Sequence, residues 1–131
     1  MMLCAMAELK RILLVDDDED LRGVAQLALE ALGELQVKGC ASAEEALEAV
    51  ATFQPDLVLL DMQMPGMDGI TALRRLQEHP VAPPVVFLTA SQERPQRLQQ
   101  LGALDVIAKP FDPMELFRAV QAIWKRGPGS C

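Results

Sequence analysis

Cysteine is scarce in this 131-residue chain, and Cys4, Cys40 and Cys131 stand far apart with no CxxC spacing among them. That argues against a disulfide framework or a cysteine-built zinc site and makes a reducing, cytoplasmic setting the expected one. No apolar run approaches the roughly 20 residues that a bilayer-crossing helix needs. The opening MMLCAMAELK lacks the basic start and the apolar centre of a signal peptide. Basic residues are also short: 12 Lys and Arg face 19 Asp and Glu, for a formal charge of -7. Attachment to nucleic acid or to an anionic membrane rests on clustered positive charge, so neither is an expected partner. Low-complexity segments, a fixed repeat period and an obvious linker are missing as well. The sole histidine, His79, sits beside Pro80 in an expected loop and receives no role. One compact domain over residues 10–126 is expected, with 1–9 as an N-terminal extension and 127–131 as a flexible tail.

What the chain does have is apolar residues in half of its positions, enough to bury a sizeable core. Five short apolar runs, at 11–15, 35–40, 57–60, 85–88 and 104–108, alternate with stretches of helical periodicity. Three of them, ILLV, LVLL and VVFL, are apolar at every position, as inner parallel strands covered on both faces require, whereas LQVKGC alternates and suits an edge. Helices are expected near 19–32, with Leu21, Val24, Ala25 and Ala28 facing inward and Gly33 as the stop, from Ser42 to Pro55, near 70–77, over 95–101, and after Asp112. Ser42 with Glu45, and Asp112 with Glu115, have capping-box spacing. Right-handed crossovers then give an α/β fold, a doubly wound (βα)₅ flavodoxin-like sheet of order 2-1-3-4-5, whose ligands bind at the carboxyl ends of the strands.

Those ends carry Asp16 and Asp17, Asp61, Thr89, and Lys109 followed by Pro110. Three carboxylates at one edge repel: at about 5 Å and an effective dielectric of about 20, each ionised pair costs roughly 3 kcal/mol. A cation is therefore required. Lys109 offsets part of the charge, and an oxygen-rich cluster suits Mg²⁺, which takes one or two carboxylates and keeps several waters. Beside such a cation a carboxylate can attack phosphorus, and Asp61 holds the central position for that role.

Taken singly, these residues have plainer uses. An acidic run such as 16–20 favours a helix N-terminus, which suits Asp18 and Asp20, and Asp68 reads as a helix cap. Met62, Met64 and Met67 read as gap-fillers. The joint pattern is stronger: VDDDED, LVLLDMQMPGMDG, FLTAS and AKPFDP, in this order, resemble the receiver domains of bacterial two-component response regulators over about residues 10–124. The strand order 2-1-3-4-5 is itself familiar from that family, so it does not stand independently of the resemblance.

The resemblance implies that Asp61 is the phosphoacceptor, that Asp17 holds Mg²⁺ directly and Asp16 largely through water, and that the Gln63 backbone carbonyl completes the protein ligands. It implies that Thr89 and Lys109 contact the phosphoryl oxygens and that Lys109–Pro110 is cis. Small Ala90 would leave the attack path open and offer its N–H to phosphate. The donor would be a sensor histidine kinase or a phosphotransfer protein. The target would be a downstream protein or an output domain missing from this chain, and the state a monomer or weak homodimer. The domain would be a phosphoacceptor switch with self-catalysed phosphotransfer and slow autodephosphorylation, a lifetime that Gln63 and Ser91 would influence.

Two features depart from the family pattern. Val106 stands where a Tyr, Phe or His is common, which removes the usual aromatic partner of Thr89 in the switch. The 20 positions from Thr89 to Lys109 are about two fewer than usual, matching a short fourth helix. A competing reading is a haloacid-dehalogenase-type phosphatase, whose DxDx[TV] spacing Asp16 and Asp18 match but whose last position is filled here by Asp20. Others are an unphosphorylated adaptor and a flavodoxin-like carrier; in the carrier, carboxylates would stand where a phosphate must bind.

Overall fold

The structure is a computed structural model that describes residues 8–90 and 95–128. Residues 1–7, with Cys4, residues 91–94, with Ser91, and residues 129–131, with Cys131, lie outside the described residues. Five strands and five helices alternate along the chain: β1 (Arg11–Val15), α1 (Glu19–Gly33), β2 (Gln36–Cys40), α2 (Ala43–Phe53), β3 (Leu57–Asp61), α3 (Gly69–Glu78), β4 (Val85–Thr89), α4 (Pro95–Gln100), β5 (Asp105–Ala108) and α5 (Pro113–Arg126). The strands are parallel in the order β2-β1-β3-β4-β5. Every residue of β3 and β4 is buried, while β2, at the edge, buries only Val37 and Cys40.

Alternate residues of the inner strands feed two apolar layers. Leu13, Val15, Val58, Leu60, Val85 and Phe87 pack with Ala46, Val50, Leu73, Leu76 and Leu98 from α2, α3 and α4. Ile12, Leu14, Leu57, Leu59, Val86 and Leu88 pack with Ala25 and Leu29 of α1 and with Leu116, Val120, Ile123 and Trp124 of α5. Leu9 also packs against this second layer. Met62, Met64 and Met67 pack against the first, as gap-filling side chains would.

Side-chain caps open four of the five helices. Asp18, Ser42, Asp68 and Asp112 each accept the N–H three residues on. The box at Asp112 is reciprocal, with Pro113 in the first turn. At α2 the Glu45 carboxylate instead accepts the Ala41 N–H, one residue before the cap.

Two expectations about α1 need correction. Val24 is 52% exposed, and Leu29 takes the core position instead, one turn beyond Ala25 on the buried face. Gly33 is the last helical residue, and the left-handed residue that ends the helix is Glu34, with φ 54°.

Candidate functional site

Parallel register delivers the polar residues to one edge. Val15 pairs with Leu60, so Asp16 and Asp61 leave neighbouring strands side by side; Thr89 pairs with Ala108, so Lys109 follows immediately beside it. Ligand oxygens of Asp16, Asp17 and Asp61 all lie within 4.8 Å of one another. Asp16 is 1% exposed and Asp61 5%, whereas Asp17 faces solvent. The Lys109 ammonium donates to Asp16 Oδ2 at 2.8 Å and sits 3.5 Å from Asp61 Oδ1. It supplies part of the positive charge that the three clustered carboxylates call for.

The two buried carboxylates are also held by main chain. The Gln63 N–H donates to Asp61 Oδ1 at 3.1 Å, and the Asp18 N–H donates to Asp16 Oδ1 at 2.9 Å. Thr89 is buried at the end of β4, Ala90 beyond it is exposed, and the Lys109–Pro110 bond is cis. Val106 is half-buried against the layer formed with α2 to α4, so the aromatic position of the family is filled by a small apolar side chain. Asp68, as expected, serves as a cap, accepting from both the N–H and the hydroxyl of Thr71. One participant escaped the sequence reading: Arg22 Nη1 donates to the Asp16 carbonyl at 2.6 Å.

Burial pushes the Asp61 carboxyl up to about 6, and the neighbouring Asp16 charge adds to the rise, against the Gln63 N–H and Lys109, which favour the ionised form. Burial works to lower Lys109, but its hydrogen bond and charge pairing with Asp16, and then Asp61, outweigh it and hold the ammonium above the ordinary lysine range. A carboxyl whose pKa rises on folding binds more protons folded than unfolded. The stability it contributes is present below about pH 4 and is lost as pH rises to about 6. Metal-free protein is therefore expected to lose on the order of 2 kcal/mol across that window from this group. Urea unfolding in chelator checks this against Asp61→Asn, which should flatten the slope between about pH 4 and 6; an unchanged slope contradicts it.

An all-oxygen donor set of three clustered carboxylates, two of them buried and only partly neutralised by one lysine, fits a hard divalent cation. The cluster sits at the carboxyl edge of a 2-1-3-4-5 parallel sheet, with a lysine just past the end of the fifth strand. The chain belongs to the response regulator receiver domain family, whose model matches residues 12–121. A domain of this family is a switch of two-component signalling rather than a classical enzyme.

Among its relatives, the phosphate regulon transcriptional regulatory protein PhoB of Pseudomonas aeruginosa is 41% identical over 128 residues, covering 92% of this chain and 54% of that protein. The alkaline phosphatase synthesis transcriptional regulatory protein PhoP of Bacillus subtilis is 38% identical, covering 89% and 49%. The chain thus spans about half the length of these curated relatives. Of solved structures, the receiver domain of Francisella response regulator 1452 superposes with a TM-score of 0.77 at 28% identity, covering 89% of this chain and 98% of that one. NtrX from Brucella abortus gives 0.81 at 28% identity, covering 91% and 27%.

Proposed function

We propose that Asp61 accepts a phosphoryl group from a sensor histidine kinase or a phosphotransfer protein, and that the resulting acyl phosphate switches a partner-binding surface. The observation that carries this reading is the gathering of Asp16, Asp17 and Asp61 within 4.8 Å with Lys109 reaching two of them. Asp17, Asp61 and the Gln63 backbone carbonyl would hold Mg²⁺, with Asp16 acting largely through water. When bound, the ion supplies positive charge against the carboxylates and the transferring phosphoryl oxygens.

The chain's own groups do the rest. An Asp61 oxygen attacks phosphorus, and the bond from phosphorus to the donor nitrogen breaks with the electron pair leaving on the donor. Lys109, already 3.5 Å from Asp61, needs only a small shift to pair with a phosphoryl oxygen. The Thr89 hydroxyl donates to another, and Ala90, lacking a bulky side chain, leaves the approach open and adds its N–H. The domain thereby catalyses its own phosphorylation and, slowly, its hydrolysis. We take residues 10–126 as the receiver unit, with Leu9 packed against its second apolar layer. It works in the cytoplasm as a monomer or weak homodimer, away from nucleic acid and membrane. Its target is a separate protein or an output domain; among the described residues no helix is long and apolar enough to cross a membrane.

New contacts to the acyl phosphate favour one of two arrangements of the chain after β4. Val106 has no ring to reorient, so the response is concentrated in residues 91–102, of which 91–94 lie outside the described residues and 95–100 form short α4. Hydrogen exchange with and without beryllofluoride, which mimics the acyl phosphate, tests this. Slower exchange over that segment is expected only when Mg²⁺ is also present. No change there rejects the switch.

A further inference from the structure

We propose that Arg22 is a positioning residue for the metal-side carboxylates, fixing the peptide that joins Asp16 to Asp17. The inference rests on the reading that these two residues serve a Mg²⁺ site.

Asp16 is 1% exposed, so each of its polar groups needs a partner within the protein. Its N–H donates to the Cys40 carbonyl at 3.0 Å, Oδ1 accepts the Asp18 N–H at 2.9 Å, and Oδ2 accepts Lys109 at 2.8 Å. The remaining group is the main-chain carbonyl, and Arg22 Nη1 supplies its donor at 2.6 Å. That carbonyl belongs to the same planar peptide as the Asp17 nitrogen. Holding it therefore sets the plane from which the exposed Asp17 carboxylate reaches the cluster.

The path of the Arg22 side chain is also prepared. It passes over β2 at Gly39, where a Cβ would lie 3.2 Å from Arg22 Cδ and 3.4 Å from Nε. One turn along α1, Gln26 Nε2 donates to the Val37 carbonyl at 3.1 Å, which fastens the same face of the helix to the same strand. Arg22 thus reaches the strand end from a tethered helix, as outer partners that orient a metal ligand do. The effect acts through Asp16 and Asp17; Arg22 itself touches neither metal nor phosphate in this scheme.

Calorimetric Mg²⁺ titration separates this role from simple packing. Arg22→Met keeps an unbranched stem over Gly39 and removes the donor, whereas Arg22→Lys keeps one charged donor. The methionine variant is expected to bind Mg²⁺ about tenfold more weakly, the lysine variant to stay within about threefold of wild type, and both to fold without metal. Arg22→Gln, too short to reach the carbonyl, should match methionine and replaces it if that protein does not fold. Wild-type affinity in the methionine variant, or equal weakening by methionine and lysine, overturns the proposal. A wild type that takes up no Mg²⁺ overturns the metal-site reading itself, a separate result.

Discussion

Lys109→Met is expected to destabilise the metal-free protein by about 3 kcal/mol. The lysine is the cation that two buried carboxylates share, at 2.8 Å from Asp16 and 3.5 Å from Asp61, and methionine fills similar volume without charge. Removing it leaves Asp16 and Asp61, 1% and 5% exposed, as neighbouring anions with little access to water. Uncompensated buried charge of this kind costs more than the pair itself gains. Adding Asp61→Asn should recover a large part of the loss, since one of the two repelling charges is then gone. Denaturant unfolding of wild type, both single variants and the double variant measures this coupling. Strict additivity would mean that Lys109 does not act through Asp61.

Asp61→Asn carries the second large effect. Incubated with acetyl phosphate and Mg²⁺, wild type should gain the mass of one phosphoryl group, and the asparagine variant should gain none, a rate loss of at least about 10³-fold. The amide has nearly the size of the carboxylate but no anionic oxygen to attack phosphorus. Because folding raises the Asp61 pKa to about 6, the same replacement should leave the metal-free fold intact or more stable at about pH 7. A folded variant that stays unphosphorylated separates lost chemistry from lost structure. Comparable phosphorylation of both proteins would contradict the assignment.

The sheet was legible in the sequence because its inner strands are extreme. ILLV, LVLL and VVFL have no polar position to confuse with a solvated face, and the structure buries β3 and β4 at every residue. Polar residues that terminate such runs have little choice but to gather at one edge, which is why Asp16, Asp61, Thr89 and Lys109 could be named before their distances were known.

The solvent-facing details were less legible. Val24 and Leu29 are both apolar, and only the packing of α1 against the sheet and α5 decides that Val24 is exposed while Leu29 is buried. Glu34, rather than Gly33, takes the left-handed turn, a choice that the residue types alone would reverse. Arg22 was unreadable for a different reason. Its partner is a backbone carbonyl, which has no signature in the sequence.

The chemistry at Asp61 is tested most directly by borohydride reduction of the phosphorylated protein followed by peptide mass mapping. An acyl phosphate is reduced to the alcohol, so homoserine is expected at position 61 and at no other aspartate, with none formed when Mg²⁺ is chelated beforehand. Homoserine at Asp16 or Asp17, or a phosphorylated protein that resists reduction, would contradict the reading.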